Sequence, residues 1–106
     1  MASSKIQLPD SARRGEPVEI RILIQHPMET GFRRDAGGQR VPRNALHSFA
    51  CRYNGVEVFR ATLSTGIAAN PVLRFFIRAD KTGELDFWWL DDEDVAGGAK
   101  ARLVVT

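Results

Sequence analysis

The sequence predicts an all-β protein, an antiparallel β-sandwich of about seven strands in two sheets. Three observations predict it: apolar residues recur with period two, no window keeps helical spacing for three turns, and turn residues interrupt the chain at short intervals. The 106 residues form one domain, 1–106, because so short a chain cannot support two independent cores.

The elements follow in order along the chain. KIQLP (5–9) is a short opening strand. PVEIRILIQ (17–25) sets Val18, Ile20, Ile22 and Ile24 on one face against Glu19, Arg21 and Gln25 on the other. HSFACRY (47–53) alternates Phe49, Cys51 and Tyr53 with Ser48, Ala50 and Arg52. Asn54-Gly55 comes next; both residues accept positive φ, so a tight hairpin is expected to lead into VEVFRATL (56–63). Asn70-Pro71 opens VLRFFIRA (72–79), and a turn over residues 80–83 leads to ELDFWWL (84–90). The acidic DDEDVAGG (91–98) reads as a loop, and AKARLVVT (99–106) as the closing strand. The Cys…Trp…Cys core of antibody domains is missing, so "immunoglobulin-like" describes architecture alone.

Two strands carry more apolar residues than one buried face needs. In 72–79, Leu73, Phe75 and Ile77 make the inner row, which leaves Phe76 beside Arg74 and Arg78. In 84–90, Leu85, Phe87 and Trp89 face inward and Trp88 is left over. Single exposed aromatics are common on protein surfaces. Aromatics interleaved with arginine are also what the centres of protein interfaces favour.

The connection QHPMETGFRRDAGGQRVPR (25–43) is the most distinctive stretch. Pro27 biases His26 towards extended backbone, and Gly31 gives conformational freedom. His26, Met28, Phe32, Arg33 and Arg34 here, with Arg74, Phe76, Arg78 and Trp88, are the candidate interface residues. The basic loop of Arg33, Arg34, Arg40 and Arg43 lacks the stacking aromatics of nucleic-acid binders, and a net charge of +2 does not imply such a partner. Twelve of the fifteen bases are arginine, whose planar fork suits carboxylates and oxyanions.

Catalytic chemistry finds little support. Cys51, the only cysteine, excludes an internal disulfide, and it lies on the apolar side of its strand, where burial raises a thiol's pKa and keeps it inert. No Gly-x-Ser-x-Gly elbow holds a serine, and the acidic run at 91–94 lacks calcium-loop spacing. A copper-binding β-sandwich using His26, Met28 and His47 is the alternative, although no His or Met follows Cys51 as a blue-copper site requires. A scaffold or adhesion module is a third reading.

The blocks HPMETGFRRDAGG, FACRYNGVEVFRATL, IAANPVLRFFIRA and GELDFWWLDD, in that order, closely resemble the SoxZ family over about residues 5–105. The resemblance implies an immunoglobulin-like sandwich that pairs with SoxY in the carrier complex of thiosulfate oxidation. SoxY carries the sulfur intermediates on a cysteine in a Gly-Gly-Cys-Gly-Gly tail, and SoxZ is the subunit without catalytic or cofactor sites. The implied partners are SoxY and, transiently, the other Sox enzymes. The implied compartment is the periplasm, reached with SoxY because the amino terminus shows no signal-peptide pattern. The residues agree where they bear on it: a mid-strand Cys51 and a strand-like ARLVVT end are not a swinging carrier arm.

Overall fold

In the computed structural model, which describes residues 3–64 and 66–106, the alternation resolves into seven strands. They are β1 (Ser4–Gln7), β2 (Pro17–Ile24), β3 (Leu46–Tyr53), β4 (Val56–Thr62), β5 (Val72–Arg78), β6 (Gly83–Asp91) and β7 (Ala96–Leu103). One sheet has the order β1-β2-β5 and the other β4-β3-β6-β7, with every pairing antiparallel. This is the immunoglobulin-like sandwich that the period-two pattern predicts.

The core lies between the sheets. Val18, Ile20, Ile22 and Ile24 of β2, with Phe75 and Ile77 of β5, face Phe49, Cys51 and Tyr53 of β3 and Leu85, Phe87 and Trp89 of β6. Ile20, Ile22 and Ile24 are completely buried, and each contributes roughly 1.5–3 kcal/mol by leaving water. Phe59 stacks on Phe75 with centroids 4.2 Å apart, which fastens edge strand β4 to edge strand β5 and closes one side of the sandwich. On the opposite side Ala12 bridges Val105 in parallel, with Ala12 N–H donating to Val104 O at 2.9 Å. Asn54 and Gly55 both take positive φ, 49° and 83°, in the two-residue turn between β3 and β4 that this pair predicts.

Two differences from the sequence reading have local causes. Gly97-Gly98, expected in a loop, lies inside β7, opposite Trp89 and Trp88. A Cβ at Gly97 would come within 2.1 Å of the Trp89 indole nitrogen, so the glycine leaves the space that the buried ring fills. The pairing of β3 with β6 shifts register between Leu46 and Ser48. That shift turns Leu46 inward, out of phase with Phe49, Cys51 and Tyr53, and leaves His47 half-buried.

Candidate partner-binding surfaces

The residues joining β2 to β3 form an arm. Antiparallel bridges at Glu29–Asn44 and Arg34–Arg40 carry the two chains outward from the sandwich. Val41 N–H donates to Arg33 O, and Asp35 N–H to Gln39 O, each at 2.8 Å. At the tip, Asp35 Oδ1 accepts the Gly37 and Gln39 N–H groups at 2.9 and 3.0 Å. Gly31 has φ of +89°, and a Cβ there would lie 3.2 Å from Arg43 Cβ, so the two chains cross closely near the base. Residues 32–40 are all exposed, and Phe32 is 80% exposed. The molecule is 56 Å long but 20 Å across. One eight-residue strand spans about 27 Å, so sandwich and arm lie roughly end to end.

His26 and Met28 belong to the foundation of this arm and not to its surface, which corrects their reading as interface residues. His26 is 6% exposed and Met28 4%. His26 Nδ1 accepts the Met28 N–H at 3.0 Å, so its Nε2 faces Asp91 Oδ2, 3.2 Å away, as the donor. Asp91 Oδ1 accepts the Glu93 and Val95 N–H groups, both at 2.9 Å. Burial alone would raise the Asp91 pKa. The Val95 N–H, His26 and the Glu93 N–H together outweigh it and hold the carboxyl below the ordinary aspartate range. Met28 takes φ of +51° and tucks its sulfur under the arm, where Sδ accepts the Leu46 N–H at 3.3 Å. The clamp therefore ties the start of the arm to the end of β6, where the acidic β6–β7 loop begins, 65 residues away in sequence. That loop also holds the returning chain. Asp92 accepts from Arg43 and the Ala45 N–H, and Glu93 accepts from Asn44. No local signal in the sequence marks Asp91 as the partner of His26.

The four arginines of the stretch separate into two kinds. Arg33 makes a bidentate contact with Glu29 at 2.8 and 3.1 Å, which lowers the Glu29 pKa and raises that of Arg33. Arg43 pairs with Asp92 at 3.1 Å. Arg34 and Arg40 face each other across the arm, and neither has a carboxylate partner among the described residues.

The remaining candidates fall on opposite outer faces. On the three-stranded sheet, Arg74, Phe76 and Arg78 of β5 stand opposite Arg21, Glu19 and Pro17 of β2. Phe76 is 56% exposed and Val72 61%. The Arg74 guanidinium lies 5.4 Å from the Phe76 ring centroid and also pairs with Glu19 at 2.8 Å, which lowers the Glu19 pKa. On the four-stranded sheet, Trp88 is 41% exposed and sits between Ala50 and Gly98 in the register. Several charges on this face pair, Arg60 with Glu57 and Lys100 with Glu84 and Asp86, while Arg52 has no ion-pair partner among the described residues.

Chemistry at Cys51 is closed off. The residue has no exposed surface, and burial, aided by Asp86, pushes its pKa up to about 12. Metal binding through the histidines meets an obstacle of its own. Both His26 ring nitrogens and the Met28 sulfur already have hydrogen-bond partners, and His47 Nδ1 lies 2.8 Å from Ser48 Oγ. Among the described residues no three His, Cys, Asp or Glu side chains converge as metal ligands would.

Fold and surfaces together define an immunoglobulin-like sandwich with a sealed thiol, two unlike outer faces and a projecting basic arm. The chain belongs to the SoxZ family, whose model, described as sulphur oxidation protein SoxZ, matches residues 6–102. No curated protein matches it. Among solved structures it is similar to the sulfur carrier protein SoxY from Chlorobium limicola f thiosulfatophilum, at 15% identity and a TM-score of 0.65, over 97% of this chain and 78% of that one. It is also similar to superoxide reductase (neelaredoxin) from Ignicoccus hospitalis, at 15% identity and a TM-score of 0.71, over 98% and 80%. A putative superoxide reductase from Thermotoga maritima matches at 13% identity and a TM-score of 0.71, over 97% and 85%. At such identities the likeness is one of fold alone.

Proposed function

We propose that this chain is the non-catalytic subunit of a SoxYZ-type sulfur carrier complex of thiosulfate oxidation. It binds and stabilises a SoxY-type partner, which carries the sulfur on the cysteine of its carboxy-terminal arm, and helps present that arm to the Sox enzymes. The observation that carries this reading is the family match over residues 6–102. The sealed Cys51 supports it, because a carrier thiol must be exposed and ionisable at neutral pH.

The stable partner covers the outer face of the three-stranded sheet. Val72 and Phe76 give that face its apolar surface, and Lys5, Arg21, Arg74 and Arg78 outnumber Glu19 around them. Aromatic and arginine side chains are what interface centres use, and Phe76 is more exposed, at 56%, than Trp88 on the other face, at 41%. The complex works in the periplasm, where the chain arrives in company with its partner.

Purification of the chain from its source cells, followed by intact-mass measurement of whatever co-elutes, tests this reading. The expected result is a one-to-one complex with a partner ending in a Gly-Gly-Cys-Gly-Gly arm, found in the periplasmic fraction. Phe76→Glu then releases that partner, and Trp88→Glu does not. A stable monomer, or a complex indifferent to Phe76→Glu, contradicts the corresponding part of the proposal.

A further inference from the structure

The arm between β2 and β3 has features that neither the core nor a stable sheet-face interface explains. Its conformation is set before any partner arrives, by the Val41–Arg33 and Asp35–Gln39 backbone bonds and by Asp35 gathering the tip amides. It nevertheless displays Phe32 at 80% exposure, where the side chain gains nothing from burial. It also sets Arg34 directly opposite Arg40. Like charges facing each other across a bridge work against it. Arg33 and Arg43 do have carboxylate partners, Glu29 within the stretch and Asp92 in the β6–β7 loop, whereas Arg34 reaches only the Gly38 carbonyl, at 2.9 Å.

A partner's carboxylates would relieve that repulsion, and an apolar socket would take the phenyl ring. We propose that the arm is a docking element for a transient protein partner that presents acidic side chains around such a socket. Phe32 enters the socket, and Arg34 and Arg40 hold the carboxylates with their planar forks. The assignment rests on the carrier reading above and adds to it the element that meets the enzymes. The contact is transient because the permanent partner is assigned to the outer face of the three-stranded sheet.

A second copy of this chain is a poor occupant. Three of the four carboxylates of its own acidic run are committed, Asp91 to His26, Asp92 to Arg43 and Glu93 to Asn44, which leaves Asp94 alone to meet two arginines. A single aromatic beside two arginines is also too little for a nucleic-acid strand, which needs successive stacking platforms.

The test uses the intact two-subunit carrier, as wild type, Phe32→Ala, Arg34→Glu/Arg40→Glu and Arg34→Lys/Arg40→Lys. Each is titrated against the purified enzymes of the thiosulfate-oxidising system at low and at high salt. For at least one enzyme, charge reversal slows association by about tenfold or more at low salt, with the gap closing at high salt. Phe32→Ala speeds dissociation by about tenfold, and the lysine variant retains most of the association rate. In every case the carrier elutes as the same complex. Unchanged docking by the reversed and the Phe32 variants overturns the proposal. So does loss of the two-subunit complex on charge reversal, which would place the arm in the permanent interface. Arginine-dependent binding of a single-stranded DNA oligonucleotide in place of the enzymes also overturns it. A chain that elutes without any sulfur-carrying partner contradicts the carrier reading itself, and this assignment with it.

Discussion

Cys51 and the His26–Asp91 pair show how single residues acquire roles from their surroundings. A free cysteine is a candidate nucleophile until burial is considered. With no exposed surface and a pKa pushed to about 12, the Cys51 thiol is expected to resist a thiol-labelling reagent at mildly alkaline pH. Denaturant should release one labelled cysteine per chain, and rapid labelling of the native protein would contradict the burial. This inertness was legible in the sequence, because the alternation through Phe49, Cys51 and Tyr53 already placed the thiol inward. The partner of His26 was not legible, because Asp91 lies 65 residues away in an acidic run that resembles any solvated loop. His26→Ala leaves the Asp91 carboxylate buried without its ring partner. The expected loss is about 2–4 kcal/mol, measured by denaturant unfolding. The sign of the pH dependence follows from the depressed Asp91 pKa. The stabilisation is complete above the ordinary aspartate value of about 3.9, and it is lost as pH falls through the lower folded value. Wild type should therefore lose its advantage over Asp91→Asn on acidification, and a constant difference between the two would contradict the assignment.

Individual elements were read from the sequence with uneven success, and the failures have physical causes. β2, β5 and β6 keep strict alternation, so Phe76 and Trp88 were recognised as surplus and both are exposed. The start of β7 was misread because glycines usually mark loops. Here Gly97 is required by a contact with Trp89 that local sequence does not reveal. Gly97→Ala should cost roughly 1–3 kcal/mol through overpacking, seen as a lower thermal midpoint. An unchanged midpoint would mean that the ring moves aside freely. The arm presented the opposite difficulty. Its charges were visible, but the bridges that order them join residues with no hydrophobic pattern. Because Arg34 and Arg40 touch nothing in the core, Arg34→Glu/Arg40→Glu should leave stability within about 0.5 kcal/mol of wild type. Its effect belongs to docking alone.

At the scale of the whole molecule, the two sheets divide the surface into regions of different character. One face combines Phe76 and Val72 with excess arginine, the other sets Trp88 among charges of both signs, and the arm extends from one end. In the proposed function this division gives stable pairing to a sheet face and transient docking to the arm, while the chain's own thiol stays sealed. The family resemblance was legible across nearly the whole sequence, but the division of surfaces was not, because it depends on which strands share a sheet. The central claim is that this chain supports a sulfur carrier without carrying sulfur. Its most direct test is the intact mass of each subunit after the purified complex is supplied with thiosulfate and the loading enzymes. The account predicts added mass on the partner alone, with this chain unchanged. A sulfur adduct on Cys51 would contradict it.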